Sequence, residues 1–299
     1  MKILILGATG NLGRLTATIL ASQQPALSLR LTSHRQDGCD SLREAFPNAE
    51  VMLADWNVGS TLPPAVAGVD KVLMITPDFI TDESVVTPNL IRAIKASGTV
   101  SHVVRFIAIP PGFSVKDLTP DQLATRCGAA QHVIAKPLLD ASGLPMTYVN
   151  AACWIMFNLP WFMAEDVKAS RRLLMPVEAD AARHWVSETD IAEVFAKILS
   201  DHARLHIGRE YLLSGGRRYT FAQVAALLSA AVNDKVVYVD DDSGVRRAMG
   251  DNYSKLMTYF SHETQAYSAV PSTNTVAELL GRPQVSLPDY INLHKSLFV

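Results

Sequence analysis

Cysteine is scarce in this 299-residue chain: Cys39, Cys127 and Cys153 are far apart, odd in number and without Cys-x-x-Cys spacing. That argues against a disulfide framework and a thiolate metal centre, and fits a reducing, cytoplasmic setting; no metal is expected. Basic clusters are missing too. No run of Lys or Arg exceeds a pair, and a net charge of −2 with a pI near 6.4 argues against nucleic-acid or anionic-membrane partners. The longest apolar stretch, residues 151–164, is interrupted by Asn158 and Pro160 and is too short to cross a bilayer. The amino terminus enters an apolar run at once, without the basic and cleavable segments of an export signal. Internal repeats, low-complexity runs and long linkers are absent. What remains is a globular composition, 48% hydrophobic and 19% charged, with length for one large domain or two ordinary ones. The expected partner is a small molecule.

The first thirteen residues organise the rest. Lys2-Ile3-Leu4-Ile5-Leu6 is a short apolar run of the kind expected from a strand buried on both faces of a parallel sheet. It leads into Gly7-Ala8-Thr9-Gly10-Asn11-Leu12-Gly13, after which Leu15, Ile19 and Leu20 recur at helical spacing. Glycines at a strand-to-helix turn have separate tasks: a sharp turn, close approach of backbone N–H groups to a diphosphate, and tight packing of helix on strand. The helix's positive end completes a dinucleotide site. Gly7, Thr9, Gly10, Asn11, Leu12 and Gly13 are therefore candidate cofactor residues.

Strand and helix patterns then alternate as in a doubly wound sheet. Residues 27–32 read as the second strand, followed by Ser33, His34 and Arg35. A basic residue there accommodates a 2′-phosphate, whereas an acidic one binds the 2′-hydroxyl, so Arg35 favours NADPH over NADH. Residues 51–54 form the third strand, and Asp55 at its end has two readings, adenine contact or helix cap. The fourth strand, 69–75, ends at Thr76-Pro77, beside the nicotinamide half. Residues 83–97 read as a helix stopped by Gly98, 102–109 as the fifth strand with Ile107 near the cofactor, 122–142 as one long helix, and 146–149 as the sixth strand. Residues 183–186 are expected to return to the sheet or its edge. The expected fold is α/β, a Rossmann-type doubly wound parallel sheet with a smaller, mostly helical C-terminal lobe. Residues 1–153 and 184–214 make the NAD(P)-binding domain, and 154–183 with 215–299 the substrate lobe.

Three features carry a family resemblance. GATGNLGR at 7–14, Asp55 after the third strand, and a segment from His132 through Lys136 to Ser142-Gly143-Leu144-Pro145-Met146-Thr147-Tyr148 together resemble the NmrA-like branch of the atypical short-chain dehydrogenases. Asp190-Ile191-Ala192, Tyr211-Leu212-Leu213-Ser214 and residues 277–283 extend the resemblance over the whole chain. It implies an NAD(P)H-dependent enzyme of the quinone reductase, triphenylmethane reductase, isoflavone-reductase-like or festuclavine-synthase type, or else a cofactor sensor without catalysis.

Most short-chain dehydrogenases carry a serine at the fifth strand's end and a Tyr-x-x-x-Lys relay on the next helix. Here that strand ends in Ile107-Ala108-Ile109-Pro110, and His132 stands four residues before Lys136 where the tyrosine would be. Spaced by four, His132 and Lys136 share one helix face, and a nearby ammonium would hold the imidazole neutral. His132 and Lys136 are the catalytic candidates, the first as hydrogen-bond donor to a substrate oxygen. Their other reading is as a surface histidine and a solvated lysine, with Pro137 able to kink the segment. Residues 151–163 are rich in large apolar side chains, and Trp154, Phe157 and Trp161 are candidates for contact with a flat hydrophobic substrate; core packing explains them as well.

Two readings follow. One is an NADPH-dependent reductase of quinones, enones or imines within specialised metabolism, acting as a homodimer. The other is a non-catalytic NAD(P) redox sensor. The aromatic lobe favours the first and the missing relay the second.

Overall fold

The computed structural model describes residues 1–24 and 26–299, with the backbone alone at 261–265. In chain order, β1 (Lys2–Leu6), α1 (Asn11–Gln23), β2 (Ser28–Ser33), α2 (Gln36–Ala45), β3 (Glu50–Leu53), α3 (Leu62–Val66), β4 (Lys71–Met74), α4 (Glu83–Ser97) and β5 (His102–Ile107) alternate strictly. Then come α5 (Pro120–Ala124), α6 (Ala129–Asp140), β6 (Met146–Asn150), β7 (Trp154–Ile155), α7 (Asn158–Ser170), β8 (Arg172–Leu174), β9 (Arg183–Val186), α8 (Glu188–Ser200) and β10 (Glu210–Leu212). β11 (Arg218–Tyr219), α9 (Phe221–Val232), β12 (Val237–Val239), α10 (Ser243–Met249), α11 (Tyr253–Ser268), α12 (Thr275–Leu280) and α13 (Leu287–Leu293) complete the chain.

The molecule divides into two compact units, the first made of residues 1–109, 128–150 and 191–211, the second of 110–127, 151–190 and 212–299. Residues 110–127, 151–153, 184–190 and 212–214, read from sequence with the dinucleotide domain, thus group with the second unit.

The first unit holds a seven-stranded sheet in the order β10-β6-β5-β4-β1-β2-β3. β1 pairs in parallel with both β2 and β4, at Leu4↔Arg30 and Leu4↔Val72. Covered on both faces, it needs apolar side chains throughout, and Ile3 to Leu6 are at most 1% exposed. Strand order reverses between the β1-β2-β3 and β4-β5-β6 halves, and such a switch point opens a crevice at the strands' carboxyl ends. The α4 bounds match the sequence reading, with Asp82 capping Ser84 N–H and Gly98 left-handed (φ 65°).

Two expectations are overturned. The long helix over 122–142 is two helices. Thr119 and Gln122 form a capping box that starts α5 early, with Pro120 in its first turn, and positive φ at Arg126 (55°) and Gly128 (49°) breaks the chain before α6. Residues 183–186 do not join the large sheet. β9 lies between β11 and β7 in a three-stranded sheet, with Trp154 opposite Trp185 and their rings 5.4 Å apart. Aromatic burial decides this: Trp154 also packs on Phe162, Phe221 and Phe260, which makes it the centre of the second unit's core. A parallel pair, β12-β8, completes that unit.

Candidate functional site

The carboxyl ends of the parallel strands gather most of the predicted cofactor residues on one edge of the first unit. At β1, Gly7 is left-handed (φ 90°), and a Cβ on it would lie 2.3 Å from Ile75 O. A Cβ on Gly13, in the first turn of α1, would lie 2.2 Å from Gly7 O. The fold itself therefore requires both glycines. Gly10 differs: its φ of −77° suits any residue, and a Cβ there would meet only Gly7 O at 3.4 Å. Its lack of a side chain leaves the surface open above the turn, where Thr9, Gly10 and Asn11 are exposed. No side chain caps α1, so the amides of Asn11, Leu12 and Gly13 at its start are available to an anion. A cradle that a side chain would fill, at the positive end of a 13-residue helix, fits a dinucleotide diphosphate.

Ser33 ends β2 and is buried, and its Oγ accepts the Arg35 N–H at 3.2 Å. His34 and Arg35 are exposed, and Arg35 begins α2 as its N-cap. After β3, Asp55 accepts hydrogen bonds from Asn57 N–H and Nδ2 at 2.9 and 3.0 Å, which folds the turn following the strand. At β4, Thr76 is buried and donates to Glu83 Oε1 (2.7 Å), while Arg105 Nη2 donates to Thr76 Oγ1 (2.7 Å) and pairs with the same carboxylate. Pro77 is exposed. Sequence reading missed this wholly buried Arg105–Glu83 pair. The one sequence signal was an arginine set among the apolar residues of 103–107, and it named no partner.

His132 and Lys136 both fall on α6, and only His132 reaches the β5 end. His132 is 2% exposed, and its Nδ1 accepts the Ala108 N–H at 2.9 Å, one residue beyond Ile107. Accepting at Nδ1 puts the proton on Nε2, and Nε2–H has no partner among the described residues. Burial, and then the charge of Arg105, hold the imidazole well below its usual pKa. It is thus a neutral donor, kept so by burial and Arg105 and not by Lys136 as the sequence suggested. Lys136 instead bonds Asp140 (2.8 Å), approaches Glu210 (3.7 Å) and lies 4.4 Å from the Tyr148 ring. Where a serine would stand, Asn150 clamps the strand end: it accepts Ile109 N–H and donates to Ile109 O, at 2.9 and 2.8 Å.

In the second unit the aromatic candidates separate. Trp154 is 4% exposed and belongs to the core, whereas Phe157 and Trp161 are open to solvent in part. Those two stack at 6.0 Å, and Trp161 is half exposed. Cys39 and Cys127 are buried thiols, and Cys153 Sγ donates to Leu213 O. Among the described residues no helix is long and apolar enough to cross a membrane.

Comparison with known proteins places this arrangement in a class. Residues 1–281 match the NmrA-like family, and the chain belongs to that family. It is 25% identical to the NAD(P)H azoreductase of Xenophilus azovorans over 99% of both chains. The NADPH complex of the quinone oxidoreductase QOR2 of Escherichia coli superposes with a TM-score of 0.78 at 21% identity, covering 98% of this chain and 99% of that one. NmrA, a negative transcriptional regulator solved with NADP, gives 0.73 at 19% identity over 97% and 94%.

Proposed function

We propose that this chain is an NADPH-dependent reductase of the NmrA-like type, acting on small hydrophobic or aromatic electron-poor compounds such as quinones, enones or imines. The observation that carries the reading is the opening turn, where the fold demands Gly7 and Gly13 but leaves Gly10 bare beneath an uncapped helix start. Diphosphate on those amides, adenosine at the β2 and β3 ends, and nicotinamide toward Thr76, Pro77 and Ile107 is the placement that the parallel edge supports. The relatives' names, azoreductase and quinone oxidoreductase, agree with it.

A bound reduced nicotinamide supplies the hydride; orientation and a dry setting fall to the protein. His132 donates a hydrogen bond from Nε2 to the oxygen or nitrogen that gains charge. As a neutral imidazole it polarises that atom without giving up a full proton, and the proton then comes from solvent. Phe157 and Trp161 offer ring surface to a flat substrate, while Trp154, packed on Phe162, Trp185, Phe221 and Phe260, stays in the core. A cytoplasmic setting, a homodimer and a place in specialised metabolism belong to the same reading.

A second reading, a non-catalytic NAD(P) sensor, is favoured by one observation: no serine and no Tyr-x-x-x-Lys stand at the β5 end. Following NADPH oxidation at 340 nm across a panel of quinones, enones and imines separates the two. Turnover supports the reductase, and tight NADPH binding without any turnover leaves the sensor. Gly10→Val is expected to weaken NADPH binding by ~100-fold or more with little change in melting temperature, because only the ligand needs the space. Unchanged affinity would overturn the assignment of the turn.

A further inference from the structure

Asp78 stands two residues beyond Thr76 and reaches the start of the helix that carries His132. Its Oδ1 accepts the Gly128 N–H at 3.0 Å and the Gln131 Nε2–H at 2.6 Å. Gly128 is the N-cap of α6 and has no side chain to offer. A carboxylate from the β4–α4 loop therefore holds the N-cap amide, the task that an acidic residue of the first turn performs in a capping box. The helix's own hold on this turn is weak: the bond from His132 N–H to Gly128 O is 3.4 Å, against about 2.9–3.0 Å for an ordinary one. The loop is bent to bring the carboxylate there. Phe79 is left-handed (φ 69°), a backbone that an aromatic residue keeps only where its surroundings fix it, and Thr81 Oγ1 donates to Pro77 O at 2.7 Å across the turn.

His132 is thereby placed by two contacts from outside its helix. Ala108 N–H turns the ring, and Asp78 sets where the first turn of α6 stands beside the β4 and β5 ends. Resting on the reading of the chain as a reductase with His132 as its donor, we infer that Asp78 is a positioning residue, locking α6 to the β4–α4 loop so that His132 Nε2–H meets the atom gaining charge. Both bonds end on one oxygen, and Gly128 and Gln131 bracket the turn just before His132, so loop and turn are held as one body. Gln131 is 1% exposed, and its amide has no solvent to turn to if the carboxylate is lost. Aim decides the size of the effect, because a displacement of ~1 Å at a reacting centre can cost ~10²-fold in rate. Asp78 reaches the reaction only through His132.

Steady-state NADPH oxidation by the full chain with a reducible quinone tests this. Asp78→Ala is expected to lower kcat by roughly 10- to 50-fold and to leave KM for the quinone within about threefold, because the misaimed bond is one that strengthens only as charge develops. Asp78→Asn keeps an oxygen that accepts from both donors, and is expected to recover most of the loss. The decisive measurement repeats Asp78→Ala in the His132→Ala background, where it is expected to cost less than about twofold more, the route through the imidazole being gone. An unchanged kcat in Asp78→Ala, or the same full loss without His132, overturns the inference alone. If Asp78→Ala does not fold, Gln131→Met takes its place, since it breaks the 2.6 Å bond and spares the one to Gly128. Its kcat is expected to fall about fivefold with His132 present and not at all without it, and any other pattern counts against Asp78. If the wild-type chain reduces no quinone, enone or imine, the underlying reading falls, and the role of Asp78 with it.

Discussion

The two edges of the large sheet each hold a buried histidine and leave opposite kinds of ring nitrogen unmatched, an acceptor at one and a donor at the other. At the amino edge, Lys71 opens β4 and its Nζ donates to Leu199 O (2.8 Å) and Asp201 O (2.5 Å), closing the carbonyl end of α8. His102 opens β5, and its Nε2 bonds Thr147 Oγ1 at 2.8 Å; that hydroxyl donates to His206 O (2.7 Å), so it accepts from the imidazole. At the carboxyl edge Thr76 and Asn150 are matched as well, and His132 differs. His132 has its acceptor nitrogen satisfied by Ala108 and its donor nitrogen unmatched, and α1 begins without a cap. His102 also keeps one ring nitrogen unmatched, Nδ1, but that one is an acceptor. Buried donors left unmatched are the costlier case, so of these two histidines it is His132 that has a hydrogen bond still to make.

The largest effect should come from exchanging the fates of these two histidines. His132→Ala is expected to lower kcat/KM for a reducible quinone by ~10²-fold, the usual scale for removing one preorganised donor. His132→Gln can still accept from Ala108 and donate from its amide, and should recover part of that loss. Recovery by a side chain that does not titrate is the mark of hydrogen bonding and not of proton transfer. His102→Gln should leave the rate per folded molecule within about twofold and lower the melting temperature instead. A rate loss on changing His102, or none on changing His132, would erase the distinction between the edges.

The next effect is in pH. Burial, helped by Lys71 and His206, pushes His102 down to about 4. A histidine depressed in the folded state is protonated first in the unfolded chain, so folding stability is intact above about 6.5 and drains away as pH falls toward 4. His132 acts in the same direction. Urea unfolding of His102→Gln should therefore show a shallower slope of stability against pH in that window, by up to about 1.4 kcal/mol per pH unit. The rate should show no ionisation from His132 between pH 6.5 and 8, because its imidazole is already neutral there. A kinetic pKa near 6.5 that vanishes in His132→Gln would make that side chain a proton donor after all.

What the sequence could and could not reveal follows the same contrast. The glycine turn, the strand alternation and α4 were legible because each depends on neighbours in the chain: a turn, a period, a cap. The position of His132 on a helix was legible too, but its burial was not, since the tertiary contact with Ala108 spans 24 residues. Arg105 and Glu83 looked like ordinary strand and helix residues because a buried pair is visible only once both are placed. The break before α6 and the diversion of β9 escaped for related reasons. One hangs on positive φ at Arg126, a residue that does not announce it, and the other on Trp185 finding the aromatic core of the second unit.

The smallest effect is expected at Lys136, the other half of the sequence-derived pair. Its side chain is 27% exposed, and its partners Asp140 and Glu210 are 50% and 39% exposed. Ion pairs this open to water are worth about 1 kcal/mol or less, and contact with the Tyr148 ring adds a similar amount at most. Lys136→Ala should thus shift the melting temperature by only about 2–4 °C, the response of a chain this long to ~1 kcal/mol. Turnover should stay within about twofold, since the ammonium has no direct bond to His132 among the described residues and reaches the end of β5 only through Glu210, which accepts from Asn150 at 2.7 Å. A tenfold fall in kcat at unchanged stability would mean that the ammonium leaves Asp140 to act in the reaction. The relay would then have two members, and the carboxyl edge would no longer rest on one neutral donor.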